Sequence, residues 1–553
     1  MGRKRQLPTL RGVTITDIGS EGNAIARVDD MVLFVPGMIP GDVIDVRVTK
    51  KKKRYMEGVA IAVTTPSPQR ITPPCSHFGV CGGCRWQHLP YDRQLFYKAQ
   101  QVRDNLTRIG HTPIPAIDPI VGSEKIYGYR NKLEFTFSEM RWMTGEELAS
   151  WIAEKESLAA AATTATDSVT NSASALAQIP AQIPAQVPNQ STTPTTYPTP
   201  VPAHAPGFAL TPPPTPASNS GPISAMDPVP VTRLTAPSRN PALGFHIPGI
   251  YDKVLDINEC LLMSEPSDSI RNEVRRYALE KGLPFYDFRG HRGFLRNMFV
   301  RITLGGEVMV VLVTTDGLPE ERERLLSHLS ERFPEITSLY YIINTKKNDS
   351  ISDQTPIHFR GSEYITEVME GLRFRIGPKS FFQTNSSQAA RLYGVVKEFA
   401  QLKGDENVYD LYTGTGTIAC YLASGASTVT GLEYIEEAVA DARMNALANG
   451  IDNAAFFAGD IKDIFNEKLF AKRGRPDIII TDPPRAGMHT DVTLAMLRSG
   501  AEKIVYVSCN PATQARDINI LSAGYDVIRV RPVDMFPHTF HVENVVLLER
   551  KKS

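Results

Sequence analysis

The spacing of hydrophobic positions changes along the chain, and each stretch predicts a different kind of structure. Between Thr14 and Val63 the apolar residues form five short, β-branched runs separated by glycine, aspartate and proline, a pattern typical of a small OB-like barrel. From Tyr91 to Asn105 they recur at helical spacing. Between Glu265 and Ile376 helical and alternating stretches follow one another, which predicts an α+β fold.

This central α+β stretch contains well-marked elements. Helices are predicted over Ser267–Lys281 and Pro319–Arg332, and strands over Asn297–Thr303, Val308–Thr314 and Ser338–Asn344. An alternating run that reaches Phe137 predicts a further strand, and Ala242–His246 continues its pattern more than a hundred residues later. We therefore expect both runs to belong to one sheet.

From about Gly377 onward, buried strands alternate with helices. The strands are predicted over Val408–Tyr412, Val429–Glu433, Asp477–Thr481 and Ile504–Val507. This alternation predicts an α/β Rossmann-like sheet, in which ligands bind at the carboxyl ends of the strands. Cys509 follows the last of these strands, so we expect it at that edge.

Residues 156–240 interrupt this organisation. No Lys, Arg, Asp or Glu occurs from Ser168 through Met226, and Pro, Ala, Thr and Ser dominate. Such a segment buries too little apolar surface to offset its chain entropy, so we predict a disordered insertion. The predicted domains are then a barrel over 1–66, an α+β domain over 67–155 and 241–376, and a catalytic domain over 377–553.

Composition restricts the function only weakly. Lys and Arg number 60, as do Asp and Glu, so recognition of a nucleic acid must depend on a local charge pattern. No apolar run has the length of a membrane span, and no apolar signal core follows the basic N-terminus. We expect a cytoplasmic protein without a membrane partner, and infer no obligate protein partner.

One local charge pattern lies on the predicted barrel. The run Lys50–Arg54 is contiguous and basic, and it is either a solvated loop or an edge that contacts phosphates. This part of the chain resembles a TRAM domain, an RNA-binding module attached to RNA-modifying enzymes. The resemblance implies that RNA is the partner.

Three cysteines lie close together in the sequence. Cys75, Cys81 and Cys84 have the spacing C-x5-C-x2-C, with two glycines between the last two, and this predicts three thiolates at one centre. Cys260 is the best fourth ligand, because Cys420 and Cys509 fall within the later α/β pattern. Four cysteines suit both zinc and a [4Fe–4S] cluster.

A glycine turn follows the first strand of the catalytic domain. Gly414 and Gly416 allow close approach of a nucleotide, and Glu433 ends the next strand where an acid accepts hydrogen bonds from ribose hydroxyls. The turn also fits the fingerprint of NAD enzymes, so by itself it leaves a dehydrogenase open. The later motifs decide between the two.

Those motifs resemble the uracil-5 RNA methyltransferases, particularly the iron–sulfur branch that acts on 23S ribosomal RNA. They are F-F-Q at Phe381–Gln383, D-P-P-R at Asp482–Arg485, S-C-N-P at Ser508–Pro511 and H-V-E-N at His541–Asn544. The resemblance implies that S-adenosylmethionine (SAM) is bound by Gln383, Tyr412, Glu433 and Asp482. It also implies a [4Fe–4S] cluster rather than zinc, and ribosomal RNA rather than the T-loop of transfer RNA.

The chemistry explains the residue types. C5 of uracil is a poor nucleophile, and addition of a thiolate to C6 turns the ring into an enolate with electron density at C5; we assign Cys509 this role. A base must then remove the C5 hydrogen, and Glu543 is our candidate. Cytosine-5 methylation of RNA, and an RNA-binding assembly factor that retains a methyltransferase shell, are the alternatives.

Overall fold

Two compact units make up the chain: residues up to Trp142 together with those from Pro222 onward, and residues Met143–Gly221. The computed structural model describes residues 7–111, 113–145, 147–153 and 240–552. In the second unit, residues 147–153 are helical. The predicted disordered insertion lies outside the described residues, except for Asn240, which pairs with Met140. This pairing is an isolated bridge, and the strand that follows, Ala242–His246, has the predicted bounds.

The N-terminal part is the expected OB-like barrel, with six strands where five were predicted. Alternate apolar side chains, among them Ile44, Val46 and Leu33, are fully buried in one core. The strand order is first, fifth, sixth, fourth, third, second. The strands are Thr9–Thr14, Asp17–Ile18, Ala24–Val28, Met31–Val35, Val43–Lys51 and Tyr55–Thr65.

An eight-stranded sheet forms the central part. Its strands, in spatial order, are Pro356–Gly361, Ile336–Ile343, Val308–Thr314, Leu295–Ile302, Lys132–Ser138, Ala242–His246, Val254–Asp256 and Arg141–Trp142. Thr136 pairs with Gly244, which confirms that one sheet continues across the insertion. Helices Ser267–Glu280 and Pro319–Arg332 cover one face.

The other face of this central sheet packs towards the C-terminal part. Met309, Val311 and Val313 belong to the same apolar core as Val505 and Val507 of the C-terminal sheet, whereas the alternate residues of their own strand face the helices. A shared core of this kind fixes the two sheets against each other. The helix Tyr91–Arg108 packs on the C-terminal sheet's opposite face through Val102 and Leu106.

The C-terminal part is the predicted α/β sheet, with seven strands. In spatial order they are Ala454–Ala458, Thr428–Glu433, Asn407–Leu411, Ile478–Thr481, Lys503–Ser508, Glu543–Arg550 and Tyr525–Val533. All pairs are parallel except those made by Glu543–Arg550. The strands are buried on both faces, as parallel strands usually are.

Helices and a hairpin complete this part. The helices are Ser386–Ala400, Thr417–Ala423, Glu436–Ala448, Ile461–Ile464, Glu467–Arg473, Thr490–Ser499 and Pro511–Leu521, and the hairpin pairs Ile365–Met369 with Leu372–Ile376. None of the described helices combines the length and apolar character that crossing a bilayer requires. The predicted domain boundaries stay predictions.

Candidate active site and four-cysteine pocket

Cys509 sits in the tight turn that joins strand Lys503–Ser508 to helix Pro511–Leu521. Asn510 caps this helix, since its side-chain oxygen accepts from the Ala512 N–H at 3.1 Å, and its own N–H donates to Ser508 Oγ at 3.1 Å. Proline at the first helical position suits the same turn. The half-buried Cys509 is therefore presented at the carboxyl edge of the sheet.

Glu543 is brought to this edge because its strand runs against the others. Ser508 pairs with Asn544 in the antiparallel register, so the residue after Ser508 lies opposite the residue before Asn544. Glu543 is almost fully buried, with 5% of its surface exposed. The two predicted catalytic residues, Cys509 and Glu543, are thus brought together.

Asp482 reaches the same edge from the neighbouring parallel strand. Thr481 pairs with Tyr506, and Asp482 follows it into the Pro-Pro turn. The carbonyl oxygen of Arg485, at the end of that turn, accepts hydrogen bonds from the side chains of Asn510 at 3.1 Å and Thr513 at 3.4 Å. These bonds join the D-P-P-R turn to the turn that carries Cys509.

Burial raises the pKa of Glu543, Asp482 and Cys509 at this edge, and neighbouring carboxylates add to each shift. Burial raises the pKa of Glu543 to about 8, and Asp482 contributes to the shift. Burial likewise raises the pKa of Asp482 to about 7, with help from Asp410. Burial and the two carboxylates raise the pKa of the Cys509 thiol to about 12, whereas Arg485 lowers it. A cation bound at this edge would therefore be stabilised.

The glycine turn leaves space for a ligand above its first glycine. Gly414 has a φ of 55°, and a Cβ placed there would meet nothing within 4 Å. Its N–H donates to one oxygen of Glu433 at 3.1 Å, and the other oxygen accepts from the Ile435 N–H at 3.0 Å. Each oxygen keeps acceptor capacity for a further donor.

The second glycine and Tyr412 also pack against their neighbours. Gly416 has a φ of 76°, and a Cβ there would lie 2.9 Å from Cβ of Ala442, so only glycine fits. Tyr412 is half-buried, contacts the core beneath the sheet and adopts a φ of 65°. Burial raises its pKa to about 12.

Gln383 lies in a segment with no regular secondary structure, just before helix Ser386–Ala400. The segment touches the glycine turn, since the Thr415 hydroxyl donates to the carbonyl of Phe381 at 3.4 Å. The predicted cofactor-binding residues Gln383, Tyr412, Gly414, Gly416, Glu433 and Asp482 therefore lie around the carboxyl edge or its adjoining segment.

Two residues beside this edge were not predicted. Asp410 is buried, accepts from the Thr413 hydroxyl at 2.5 Å, and has a pKa raised by burial to about 7. His541 has a pKa lowered to about 4 by burial and then by four cations, Arg485, Lys98, Arg130 and Arg85. These four cations come from separate parts of the chain, so the sequence does not show that they surround His541. The only sequence feature that pointed to His541 was its position two residues before Glu543.

The four predicted metal ligands line one pocket. Cys75, Cys81, Cys84 and Cys260 surround a cavity of about 360 Å³, and all are free thiols. Within the described residues, no three His, Cys, Asp or Glu side chains are grouped closely enough to hold a single metal ion. The fold therefore brings four thiols from two distant parts of the chain to one cavity.

The four thiols suit two kinds of group. Tetrahedral zinc takes four thiolates at about 2.3 Å, and a cubane cluster is held by four thiolates at its corners. The donor set fits either group.

Comparison with protein families agrees with this arrangement. The profile of the family described as tRNA (Uracil-5-)-methyltransferase matches residues 298–551, and that of the TRAM domain matches residues 9–61. The first match covers the C-terminal sheet and much of the central sheet, and the second covers the barrel.

Two relatives match nearly the whole chain. A protein of Porphyromonas gingivalis named as an uncharacterized RNA methyltransferase is 46% identical over 540 residues, which cover 97% of this chain and 99% of that protein. A protein of Bacteroides thetaiotaomicron with the same name is 45% identical over 535 residues, covering 96% and 100%.

A solved structure has the same architecture. It is the Pyrococcus abyssi tRNA (uracil-54, C5)-methyltransferase in complex with S-adenosyl-L-homocysteine (SAH). The match has a TM-score of 0.64 at 27% identity, and covers 98% of this chain and 100% of that one.

Proposed function

Since this chain belongs to the uracil-5 RNA methyltransferase family and carries a TRAM domain, we propose that it methylates C5 of one uridine in 23S ribosomal RNA through a covalent bond to Cys509. Family membership makes it a SAM-dependent RNA methyltransferase. The supporting observation is that Cys509, Glu543 and Asp482 meet at one sheet edge beside the glycine turn.

The first part of the reaction is the work of Cys509. Its sulfur forms a bond to C6 of the uracil, and the displaced electron pair moves to the oxygen on C4, which makes C5 nucleophilic. When bound, SAM supplies the electrophilic methyl group together with a positive charge on sulfur. The methyl group passes to C5 of the uracil, and its bond to the sulfur of SAM breaks. Burial and the carboxylates of Glu543 and Asp482 raise the pKa of the Cys509 thiol to about 12, and Arg485 lowers it in part. The thiol proton therefore has to leave to solvent before the sulfur attacks.

Glu543 completes the reaction as general base. Its carboxylate takes the proton from C5, the electron pair of that bond forms the C5–C6 double bond, and the bond from C6 to Cys509 breaks. A carboxyl group whose pKa is about 8 is a stronger base than an ordinary one and still ionises near neutral pH. Burial therefore suits Glu543 to this step.

We assign the cofactor residues from the family resemblance, together with their place around the glycine turn and the carboxyl edge. Glu433 accepts hydrogen bonds from the ribose hydroxyls with the acceptor capacity left on its oxygens, and Gly414 and Gly416 let the cofactor approach the backbone. Asp482 and Gln383 contact its polar groups, and Asp482 also balances its positive charge. Tyr412 supports the turn from below.

The uridine must leave its stack to reach Cys509, because the edge of the sheet is partly buried. The barrel holds the surrounding RNA. Lys50 forms an ion pair with Glu57 at 2.7 Å, whereas Lys51 to Arg54 are exposed. We therefore assign the phosphate contacts to Lys51 to Arg54. Such contacts give affinity without sequence choice.

For the four-cysteine pocket we propose a [4Fe–4S] cluster held by Cys75, Cys81, Cys84 and Cys260. Four free thiols around one cavity of about 360 Å³ support a metal centre, and the resemblance to the iron–sulfur branch favours the cluster over zinc. Anaerobically purified protein should contain iron and acid-labile sulfide in equal amounts, and the Cys260→Ser variant should lose both. Stoichiometric zinc without sulfide would overturn this assignment.

One observation supports transfer RNA as an alternative substrate. The similar solved structure, which matches nearly the full chain, is a methyltransferase of uracil-54 in transfer RNA, so the T-loop of transfer RNA is the second candidate. We favour ribosomal RNA because the four cysteines resemble the ribosomal branch, and place the reaction in the cytoplasm.

One experiment tests the reaction and the substrate together. The protein is incubated with methyl-labelled SAM and separated ribosomal or transfer RNA, followed by nucleoside analysis. Label in 5-methyluridine from ribosomal RNA is the expected result. Label in transfer RNA alone would overturn the assignment of ribosomal RNA as the substrate, and label in 5-methylcytidine would overturn the assignment of uracil as the methylated base.

A further inference from the structure

The segment that carries Gln383 lies between the central and C-terminal sheets. We call residues 380–386 the cofactor segment. On the C-terminal side, its Ser380 hydroxyl donates to Asp441 at 2.7 Å, and its Phe381 carbonyl accepts from Thr415. These contacts hold its beginning beside the glycine turn and leave Gln383 to be fixed from elsewhere.

Asn131, at the entrance of a central strand, fixes the second half of the segment. Its backbone N–H donates to the carbonyl of Thr384 at 2.8 Å. Its side-chain amide donates to the carbonyl of Gln383 at 2.8 Å and to the hydroxyl of Ser386 at 2.7 Å. Asn131 thus binds three residues of a segment that forms no strand and so has no regular backbone hydrogen bonds to hold it.

A buried carboxylate supports this contact from behind. The Ser386 hydroxyl, having accepted from Asn131, donates to Glu367 at 2.6 Å. Glu367 is fully buried, and its other oxygen accepts from the N–H of Leu304 at 3.0 Å. The chain of bonds begins at Leu304, in the turn after strand Leu295–Ile302, and ends at Asn131, just before strand Lys132–Ser138. Both ends are therefore held by the central sheet.

From these contacts we propose that Asn131 is a positioning residue for SAM: it sets the backbone of Gln383 so that the central sheet, outside the methyltransferase sheet, controls cofactor affinity. The proposal rests on the role assigned to Gln383 under the proposed function. Binding of a ligand depends on holding its partners to within about 0.5 Å. A segment without regular structure reaches that precision only through bonds such as those of Asn131.

The test compares four variants of the full-length protein by calorimetric titration with SAH. Asn131→Ala and Asn131→Asp both remove the amide donor, the second without loss of volume. We expect each to raise the Kd for SAH about tenfold, as loss of one or two hydrogen bonds does, and to raise KM for SAM more than it lowers kcat. Gln383→Ala measures the contribution of the glutamine itself.

Asn453→Ala is the matched control. Like Asn131, Asn453 is half-buried and its amide donates to backbone-held oxygens: the carbonyls of Ala423 and Ala426 at 2.8 and 3.0 Å, and more weakly that of Ser427 at 3.5 Å. It lies at the opposite, amino edge of the C-terminal sheet, beside the start of strand Thr428–Glu433. The Asn453→Ala variant should lower Tm about as much as Asn131→Ala does, and should leave the Kd for SAH unchanged.

The outcomes separate the two claims. A normal Kd in both Asn131 variants with a raised Kd in Gln383→Ala would overturn the inference and leave the role of Gln383 standing. A normal Kd in Gln383→Ala would overturn that role. An equal loss of affinity in Asn453→Ala would show general destabilisation and also overturn the inference.

Discussion

Glu543 begins the only antiparallel strand of the C-terminal sheet, and it lies opposite Cys509, which follows the end of the adjacent strand. In an all-parallel sheet, the first residue of a strand would lie at the amino edge, far from the ligand. Reversal of this one strand places its first residue at the carboxyl edge instead. The base and the nucleophile thereby meet from neighbouring strands.

This relationship predicts the behaviour of Glu543→Gln. If Glu543 removes the C5 proton, its loss leaves methyl transfer possible and blocks release, so a covalent complex of protein and methylated RNA should accumulate. Turnover should fall by about 10²–10⁴, the usual contribution of a general base. Denaturing electrophoresis with labelled RNA and, separately, labelled SAM measures the complex.

Cys509→Ala is the control for that complex. The double variant Cys509→Ala/Glu543→Gln should form none, because the bond to C6 requires the sulfur. A complex that lacks the methyl label would contradict the order of steps, and rapid turnover by Glu543→Gln would contradict the role of Glu543.

The same burial predicts how stability depends on pH. The pKa of Glu543 is raised to about 8, from about 4.3 in an unfolded chain, so the folded state retains a proton that the unfolded state releases. The stabilisation is fully present below the unfolded pKa and is lost as pH rises through about 8. Without SAM, the parent protein should lose stability between pH 5 and 9.

Glu543→Gln reduces this dependence, and the part due to Asp482 and Asp410, whose pKa burial also raises, is kept. The variant should be more stable than the parent at pH 9, on the order of 1–3 kcal/mol, with a smaller difference at pH 5. Urea unfolding across this range measures it. Glu549→Gln, at the far end of the same strand, is the control, and an equal effect there would contradict the prediction.

Local patterns predicted most elements. Strand Val308–Thr314 and helix Pro319–Arg332 have the predicted bounds, because an unbroken β-branched run and a proline at the helix start are unambiguous signals. The barrel strand Thr9–Thr14 was missed because only Val13 is buried in it, which leaves no alternation to detect.

The site was harder to predict, for a physical reason. Cys509 and Asp482 follow apolar strands, which mark them as edge residues. Glu543 was chosen through family resemblance, since nothing local shows which way its strand runs. Asn131 was not predicted at all, because a side chain that donates to distant backbone carbonyls leaves no periodic pattern.

The two glycines of the turn predict different losses. A methyl group on Gly416 would lie 2.9 Å from Ala442 and 3.1 Å from Phe456, so Gly416→Ala should lower the free energy of unfolding by about 2–4 kcal/mol. Gly414→Ala meets open space and should cost about 1–2 kcal/mol for its positive φ.

Affinity for SAH should show the reverse order at this turn. Gly414→Ala places its methyl group in the crevice and should weaken binding at temperatures where it stays folded. Thermal unfolding and titration with SAH on both variants decide this. Unchanged affinity in Gly414→Ala would contradict the placement of the cofactor above that glycine.

A buried ion pair anchors the loop that leads to Glu543, and its removal gives the last prediction. Lys98 donates to Asp534 at 2.5 Å and to the carbonyl of Phe536 at 3.0 Å, and both charged side chains are fully buried. Tyr91 donates to the other oxygen of Asp534 at 2.9 Å. The pair joins helix Tyr91–Arg108 to the chain just before the catalytic base.

Lys98→Met leaves the charge of Asp534 buried without its partner and should cost about 3–5 kcal/mol. Adding Asp534→Asn removes that charge, so the double variant should be more stable than Lys98→Met alone, and the two changes should be non-additive by about 0.5–3 kcal/mol. Urea unfolding of the parent, both single variants and the double variant completes the cycle. Strict additivity would mean that the helix and the loop are held by their apolar contacts alone, and that the ion pair contributes only to the precision with which Glu543 is placed.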